Sequence, residues 1–254
     1  MKPSNEPTSR SPFFALLLNN VAHIRRLPWL LRQLRHSLSY TLNDAFHWDE
    51  YAKVWERSNR NVASSTLGTE WPHREEFIAA LTRHADPKKD ALEIGCGGGR
   101  ITQVAVGLFR RVCAVDVSAE MLRLCSNTVR AANLSFRLTD GFGLRGFEDE
   151  SVDVVYSHDT FVNFSALQVY PYLAEIRRVL RHGGVGIISV VDFANRFEDF
   201  KRMSLKYWSQ RTFPPPMRTH FTSEEVLQLM LKDLSLQLEA ANNKNYLVVE
   251  FTKS

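Results

Sequence analysis

The segment Ala91-Leu-Glu-Ile-Gly-Cys-Gly-Gly-Gly-Arg100 constrains the fold of this chain more than any other part of it. It predicts a buried strand that runs into a glycine loop, and the loop opens directly into a helix. Glycines permit a positive φ and let a ligand approach the backbone closely, while the amides at the start of a helix favour anionic groups. The segment therefore predicts a small-molecule cofactor site in an α/β sheet.

Two acidic residues belong to the same pattern. Glu93 stands two residues before the first glycine of the loop, where a cationic amino group of a cofactor could be met directly or through water. Asp116 closes the next apolar run and lies 17 residues beyond Gly99, a spacing that suits one helix and one strand. An acid at the tip of the second strand is placed to accept hydrogen bonds from both ribose hydroxyls of a nucleoside.

A dinucleotide dehydrogenase is the nearest competing interpretation, because its fingerprint is G-x-G-x-x-G after a strand. Here Arg100 occupies the last position of that fingerprint, and the third glycine is Gly99. The pattern instead resembles the class I S-adenosylmethionine-dependent methyltransferases, in particular those that act on small molecules. The resemblance covers roughly residues 73 to 252. It implies a Rossmann-like, doubly wound α/β sheet of seven strands in the order 3-2-1-4-5-7-6, with the last strand antiparallel and helices on both faces.

The resemblance also implies S-adenosyl-L-methionine as the cofactor. In this family an acid after the third strand accepts a hydrogen bond from the adenine amino group, which points to Asp140, with Phe142 as a stacking wall and Met121 packed over the adenine. The cofactor-binding set that the resemblance implies is Glu93, Gly95, Cys96, Gly97, Gly99, Asp116, Val117, Met121, Asp140, Gly141, Phe142 and Ser157.

The fourth predicted strand ends in His158 and Asp159, at the sheet edge that faces both cofactor and acceptor in open α/β folds. A hydroxyl acceptor is a poor nucleophile and benefits from a base, so His158 is the candidate base and Asp159 could orient or assist it. In the sugar and natural-product O-methyltransferases that this chain resembles, a histidine near this strand end serves as base. The alternative is that His158 only lines the cofactor pocket.

The expected activity is therefore O-methylation of a small-molecule, glycan or secondary-metabolite hydroxyl by in-line methyl transfer. Two alternatives stay open. The first is N- or C-methylation by the same fold, in which an already nucleophilic acceptor needs no histidine base. The second is a cofactor-binding scaffold protein without transferase chemistry.

The chain divides into three predicted parts: a basic amphipathic appendage over residues 1–40, an aromatic lid segment over 41–72, and a methyltransferase domain over 73–254 with a cap insertion over 192–220. In the lid segment Tyr51, Trp55 and Trp71 are candidates for the wall of the acceptor pocket, or they simply fill hydrophobic contacts. The cap insertion is long enough to carry a short helix, and we expect acceptor specificity to reside there.

Charge is concentrated in the appendage, where six basic residues stand against Glu6 alone, although the whole chain has a net charge of only +4. Residues 11–40 could contact a membrane surface, or pack on the body of the protein or on a second subunit. Because the excess of basic over acidic residues is confined to the appendage, we expect a small-molecule acceptor and no nucleic acid.

No apolar run is long enough for a membrane span, and the three cysteines, Cys96, Cys113 and Cys125, lack metal-ligand spacing. We therefore expect no metal, and a cytoplasmic location with membrane-peripheral attachment as an open alternative.

Overall fold

The computed structural model describes residues 44–58, 73–210, 219–243 and 246–254. The predicted appendage, residue Trp71 and part of the predicted cap lie outside these ranges. The helices of the described residues are α1 (Asp44–Ser58), α2 (Arg74–Arg83), α3 (Thr102–Ala105), α4 (Ala119–Thr128), α5 (Ala166–Val179), α6 (Phe197–Ser209) and α7 (Glu224–Asp233). The strands are β1 (Asp86–Ile94), β2 (Phe109–Asp116), β3 (Leu134–Leu138), β4 (Val152–Ser157), β5 (Leu180–Asp192), β6 (Phe221–Thr222), β7 (Leu236–Asn243) and β8 (Leu247–Lys253).

The strands form one sheet in the order β3-β2-β1-β4-β5-β8-β7. Strands β1 to β5 are parallel to one another, whereas β8 is antiparallel to both β5 and β7. The two-residue strand β6 pairs with β5 but is not part of this order. Because β6 is counted here, the strands predicted as the sixth and seventh are numbered β7 and β8. The predicted order 3-2-1-4-5-7-6 with an antiparallel last strand is confirmed.

The central strands are apolar because both faces of the sheet are covered. Leu92, Val155 and Ile188 belong to the core on one face, and Ala91 and Val154 belong to the core on the other. Strands of this kind have almost continuous apolar sequences rather than alternating ones. This double burial places the polar residues of these strands at their ends, and the functional residues are found at the carboxyl ends.

Side-chain caps fix where two helices around the site begin. Ser118 accepts a hydrogen bond from the backbone N–H of Met121 at 3.0 Å and starts α4 directly after β2. Ser165 and Gln168 form a capping box at the start of α5. These caps satisfy amides that a helix start leaves without a partner.

The predicted cap insertion contains helix α6, which has no buried residue. Phe193, Phe197, Phe200 and Phe221 pack as an aromatic cluster between α6 and β6. Among the described residues, no helix is both long and apolar enough to cross a membrane.

Candidate active site

The carboxyl ends of β1, β2 and β4 open into a cavity of about 390 Å³. This volume lies within the usual range for small-molecule sites. Of the residues predicted for the cofactor, acceptor and catalytic sites, those that line the cavity are Tyr51, Trp55, Glu93, Gly95, Cys96, Gly97, Asp116, Val117, Met121, Gly141, His158 and Asp159.

The three alternating glycines of the loop have a positive φ for different reasons. A Cβ on Gly95 would lie 2.1 Å from Thr160 Oγ1, so the loop needs glycine here to pass the end of β4. A Cβ on Gly97 would meet nothing within 4 Å, so its backbone faces open space where a ligand can approach. A Cβ on Gly99 would lie 2.8 Å from Val129 Cγ2, and Gly99 does not line the cavity. The structure thus gives Gly99 a packing role.

Asp116 is held firmly at the tip of β2. Its Oδ2 accepts a hydrogen bond from the backbone N–H of Gly97 at 3.0 Å, and its Oδ1 accepts one from Ser118 at 2.9 Å. Burial raises the pKa of Asp116 to about 6, although these backbone hydrogen bonds oppose the shift. The result is a fixed carboxylate beside the glycine loop, with hydrogen-bonding capacity left for hydroxyl groups.

Glu93 lies deeper in the same cavity and is 2% exposed. Thr102 Oγ1 donates a hydrogen bond to its Oε2 at 2.5 Å, and the Tyr156 hydroxyl donates one at 3.1 Å. Burial nevertheless raises the pKa of Glu93 to about 8, with the charge of Asp116 adding to the shift. A buried acid in this state is stabilised as a carboxylate when a cation is bound beside it.

Helix α1 covers one side of the cavity. Tyr51 and Trp55 line it and pack on a small cluster that contains Met121. The helix is tied to the start of α4 because Asp49 Oδ1 accepts hydrogen bonds from Ser118 Oγ at 2.6 Å and from the backbone N–H of Glu120 at 3.1 Å. Tyr51 and Trp55 therefore lie where the sequence predicted a lid, while Trp71 lies outside the described residues.

His158 is buried at the end of β4 and lines the cavity. Its Nδ1 lies 3.9 Å from Asp159 Oδ2, and its buried Nε2 has no hydrogen-bond partner among the described residues. Burial lowers the pKa of His158 to about 4, so the ring is neutral at pH 7. A neutral imidazole has one nitrogen lone pair that can accept a proton.

Asp159 is the centre of a polar cluster that the sequence did not reveal in full. His73 Nε2 donates a hydrogen bond to its Oδ1 at 2.8 Å, and Arg100 Nη1 donates one to its Oδ2 at 3.2 Å. Burial raises the pKa of Asp159, but His73, His158 and Arg100 outweigh burial and bring it below the ordinary value. Asp159 is therefore ionised at neutral pH.

Three other predicted cofactor residues lie outside the cavity lining. Asp140 is exposed, and its Oδ1 accepts a hydrogen bond from the backbone N–H of Phe142 at 2.8 Å. Phe142 is 82% exposed, and only Gly141 between them reaches the cavity. Ser157 is buried and donates its hydroxyl hydrogen bond to the carbonyl of Ile94 at 2.8 Å. The cofactor roles of Asp140, Phe142 and Ser157 stay predictions.

Comparison with known proteins identifies the domain. The family model described as "Methyltransferase domain" matches residues 92–188, which run from β1 into β5 and include the glycine loop, Asp116 and His158. This part of the chain matches a methyltransferase domain. The resemblance seen in the sequence is thereby confirmed, and the sheet order of this methyltransferase domain agrees with it.

The chain is similar to curated methyltransferases over part of its length. The demethylmenaquinone methyltransferase of Tropheryma whipplei is 30% identical over 162 residues, which are 63% of this chain and 64% of that protein. The malonyl-[acyl-carrier protein] O-methyltransferase of Bacillus cytotoxicus is 28% identical over 162 residues, 62% of this chain and 50% of that protein. The chain thus spans less than two thirds of the length of either relative.

The fold is shared with solved structures of low sequence identity. Magnesium protoporphyrin IX methyltransferase from Synechocystis PCC 6803, solved with bound S-adenosylhomocysteine, is similar with a TM-score of 0.64 and 14% identity. The similarity covers 83% of this chain and 98% of that chain. At this identity the similarity establishes the fold alone.

Proposed function

We propose that this chain is an S-adenosylmethionine-dependent methyltransferase that methylates a hydroxyl group of a small molecule, a glycan or a secondary metabolite. One observation carries the proposal: a single cavity joins the glycine loop, Glu93 and Asp116 to the buried His158 and the partly buried Asp159. The first group suits a nucleoside with an amino-acid tail, and the second suits an acceptor that must lose a proton. The curated relatives, both named as methyltransferases, support this proposal.

The residues at the cofactor end fit S-adenosylmethionine. Gly97 leaves open space beside its backbone, Asp116 can accept hydrogen bonds from two ribose hydroxyls, and the buried acid Glu93 suits an ammonium group. Tyr51 and Trp55 of α1 keep water from one side of the cavity. When bound, S-adenosylmethionine supplies an electrophilic methyl group on a sulfonium.

His158 is the proposed base for the acceptor hydroxyl. Its ring is neutral at pH 7 and lines the cavity, and its buried Nε2 has no hydrogen-bond partner among the residues that the structure describes. Because a ring with a pKa of about 4 is a weak base in the absence of ligands, its contribution depends on a positioned hydrogen bond and on the nearby negative charge of Asp159. Holding the reactants in line supplies much of the remaining effect.

N- or C-methylation is the second candidate, and the low basicity of His158 is the observation that favours it. An acceptor that is already nucleophilic needs no proton acceptor of this kind. Substitution of His158 by alanine separates the two candidates. Near-normal turnover in His158→Ala supports an N or C acceptor, and a loss of roughly 100-fold or more supports base-assisted O-transfer.

The first experiment is calorimetric titration of the purified protein with S-adenosylmethionine and S-adenosylhomocysteine, with Asp116→Ala as the control. Micromolar binding of both ligands that is lost in Asp116→Ala supports the cofactor assignment. The same protein is then incubated with S-adenosylmethionine that carries a tritiated methyl group and with a metabolite extract of the source organism. Cofactor binding without any methylated product contradicts the enzyme proposal and favours a binding scaffold.

A further inference from the structure

A buried histidine stands behind the candidate base. His73 is 1% exposed and lies immediately before α2, and it does not line the cavity, whereas His158 and Asp159 do. We propose that His73 is a positioning residue that orients Asp159 toward His158, so that the three side chains form a relay ending at the acceptor. This inference rests on the proposed function, because the relay has a task only if an acceptor proton is removed.

The backbone of Asp159 is held in an uncommon conformation. Its φ is 58°, in the left-handed region that few residues other than glycine adopt. Its N–H donates to Ser189 Oγ at 2.9 Å, and its carbonyl accepts from Asn163 Nδ2 at 3.2 Å. Residues kept in such conformations by their surroundings are concentrated at functional sites. The backbone therefore directs the Asp159 side chain into the cluster. The rotation of the Asp159 carboxylate about its side-chain bonds is then all that has to be fixed.

His73 supplies that control. Its Nε2 donates to Asp159 Oδ1 at 2.8 Å, while Arg100 takes the other oxygen, Oδ2, at 3.2 Å. The His73 ring is itself fixed by stacking on Tyr246, with ring centroids 3.8 Å apart, and it stacks on His158 at 4.9 Å. These two ring contacts restrain the His73 ring from turning its Nε2 away from Asp159. The carboxylate is thereby fixed with Oδ2 facing His158.

The orientation of the Asp159 carboxylate matters for the reaction only after the acceptor proton has been transferred to His158. In an O-transfer the acceptor oxygen forms the new C–O bond, the C–S bond breaks with its electron pair on sulfur, and the acceptor proton passes to the neutral His158 ring. The resulting imidazolium carries hydrogen on Nδ1, which lies 3.9 Å from Asp159 Oδ2. An oriented carboxylate stabilises this cation, as the aspartate of a Ser-His-Asp triad does.

The chain offers a matched control at the other end of α2. His84 Nε2 lies 2.8 Å from Glu250 Oε2, the same distance as between His73 Nε2 and Asp159 Oδ1. Glu250 is 3% exposed. Neither His84 nor Glu250 lines the cavity. Changes at His84 therefore report what loss of a partly buried histidine–carboxylate bond does to stability alone.

Two substitutions at His73 separate orientation from packing. His73→Phe keeps a flat ring against Tyr246 and removes the donor, whereas His73→Gln restores an N–H donor of similar reach without a ring. His84→Phe and His84→Gln are made in parallel. Each protein is assayed for methyl incorporation from tritiated S-adenosylmethionine into a fixed metabolite extract of the source organism. The affinity for S-adenosylhomocysteine and the melting temperature are measured on the same preparations.

We expect His73→Phe to lower the initial rate by roughly 100-fold, the lower end of what general acid–base catalysis contributes. His73→Gln should recover about tenfold of that loss, because an amide N–H bonded to a carboxylate is a charge-assisted hydrogen bond. Affinity for S-adenosylhomocysteine should stay within about twofold in all four variants, since neither histidine lines the cavity. Both His84 variants should keep the wild-type rate.

Two results would overturn the positioning role: a wild-type rate in His73→Phe, or equal loss in His73→Phe and His73→Gln with intact affinity for S-adenosylhomocysteine. Failure of the proposed function gives a different pattern, because the wild-type protein then binds no S-adenosylhomocysteine or transfers no methyl group.

Metal binding is the alternative role of these three residues, since ligand atoms of His73, His158 and Asp159 lie within 4.8 Å of one another. Glutamine does not replace imidazole as a transition-metal ligand. Stoichiometric zinc or manganese in the wild-type protein, lost in both His73 variants, together with a rate abolished by a chelator, would identify a metal centre and overturn the positioning role. A rate that a chelator leaves unchanged supports it.

Discussion

Binding of S-adenosylmethionine at pH 7 should release close to one proton, and Glu93 should be its source. Burial raises the pKa of Glu93 to about 8, so roughly nine molecules in ten carry the proton at pH 7 before binding. An ammonium group beside the carboxyl favours its charged form. If the bound pKa returns to the ordinary 4.5, about 0.9 of a proton leaves on binding.

The sign of the pH dependence follows from the same numbers. Between about pH 5 and pH 8 the free protein holds a proton that the complex lacks, so affinity should rise with pH by about 1.4 kcal/mol, or tenfold, per pH unit. Above the free-state pKa of about 8, both states are ionised and the dependence of affinity on this group should end. Glu93→Gln cannot ionise and should lose this dependence.

Calorimetry in buffers of different ionisation enthalpy measures the released protons directly. At pH 7 the observed enthalpy is plotted against the ionisation enthalpy of each buffer, and the slope gives the number of protons. The amino group of the ligand titrates equally with both proteins, so the difference between wild type and Glu93→Gln isolates Glu93. Equal slopes for the two proteins would refute the assignment of Glu93 to the ammonium group.

Three further substitutions have defined outcomes. Gly95→Ala should abolish binding of S-adenosylhomocysteine and lower the free energy of unfolding by about 1–3 kcal/mol, because its Cβ would lie 2.1 Å from Thr160 Oγ1. Gly97→Ala should remain folded in thermal unfolding, since its Cβ meets nothing within 4 Å, but should bind S-adenosylhomocysteine more weakly in calorimetry. Gly186→Ala should lower the melting temperature because its Cβ would lie 2.3 Å from the Phe251 ring. Adding Phe251→Leu should restore part of the lost stability. If the melting temperature does not recover, the Phe251 ring is not the cause of the loss.

The sheet and the cofactor end could be predicted because their determinants are local in sequence. The strand, loop and helix around Gly97 are contiguous, and the apolar runs of β1 and β4 reflect burial on both faces. Parallel topology then brings the strand ends together, so Glu93, Asp116 and His158 line one cavity although they are distant in the chain.

The polar cluster behind the cavity could not be predicted, since tertiary contacts alone create it. His73 is 86 residues from Asp159, and Tyr246 stacks on His73 from the segment before β8. A single histidine before a helix carries no spacing pattern that indicates a carboxylate partner. The conformation of the loops could not be predicted from the sequence either. Gly99 fits the cofactor-binding pattern but packs on α4, and Phe142 faces solvent.

The position of β8 in the sheet bears on whether the protein aggregates. β8 is the only link in the sheet path between β7 and the thirteen-residue strand β5, among the residues described. Detachment of β8 would uncover the backbone amides and carbonyls of β5 from Val185 to Val190, a row with strongly apolar side chains. Such an edge is a template for pairing with other chains. By pairing with β5 along this row, β8 therefore covers an edge that would otherwise favour aggregation.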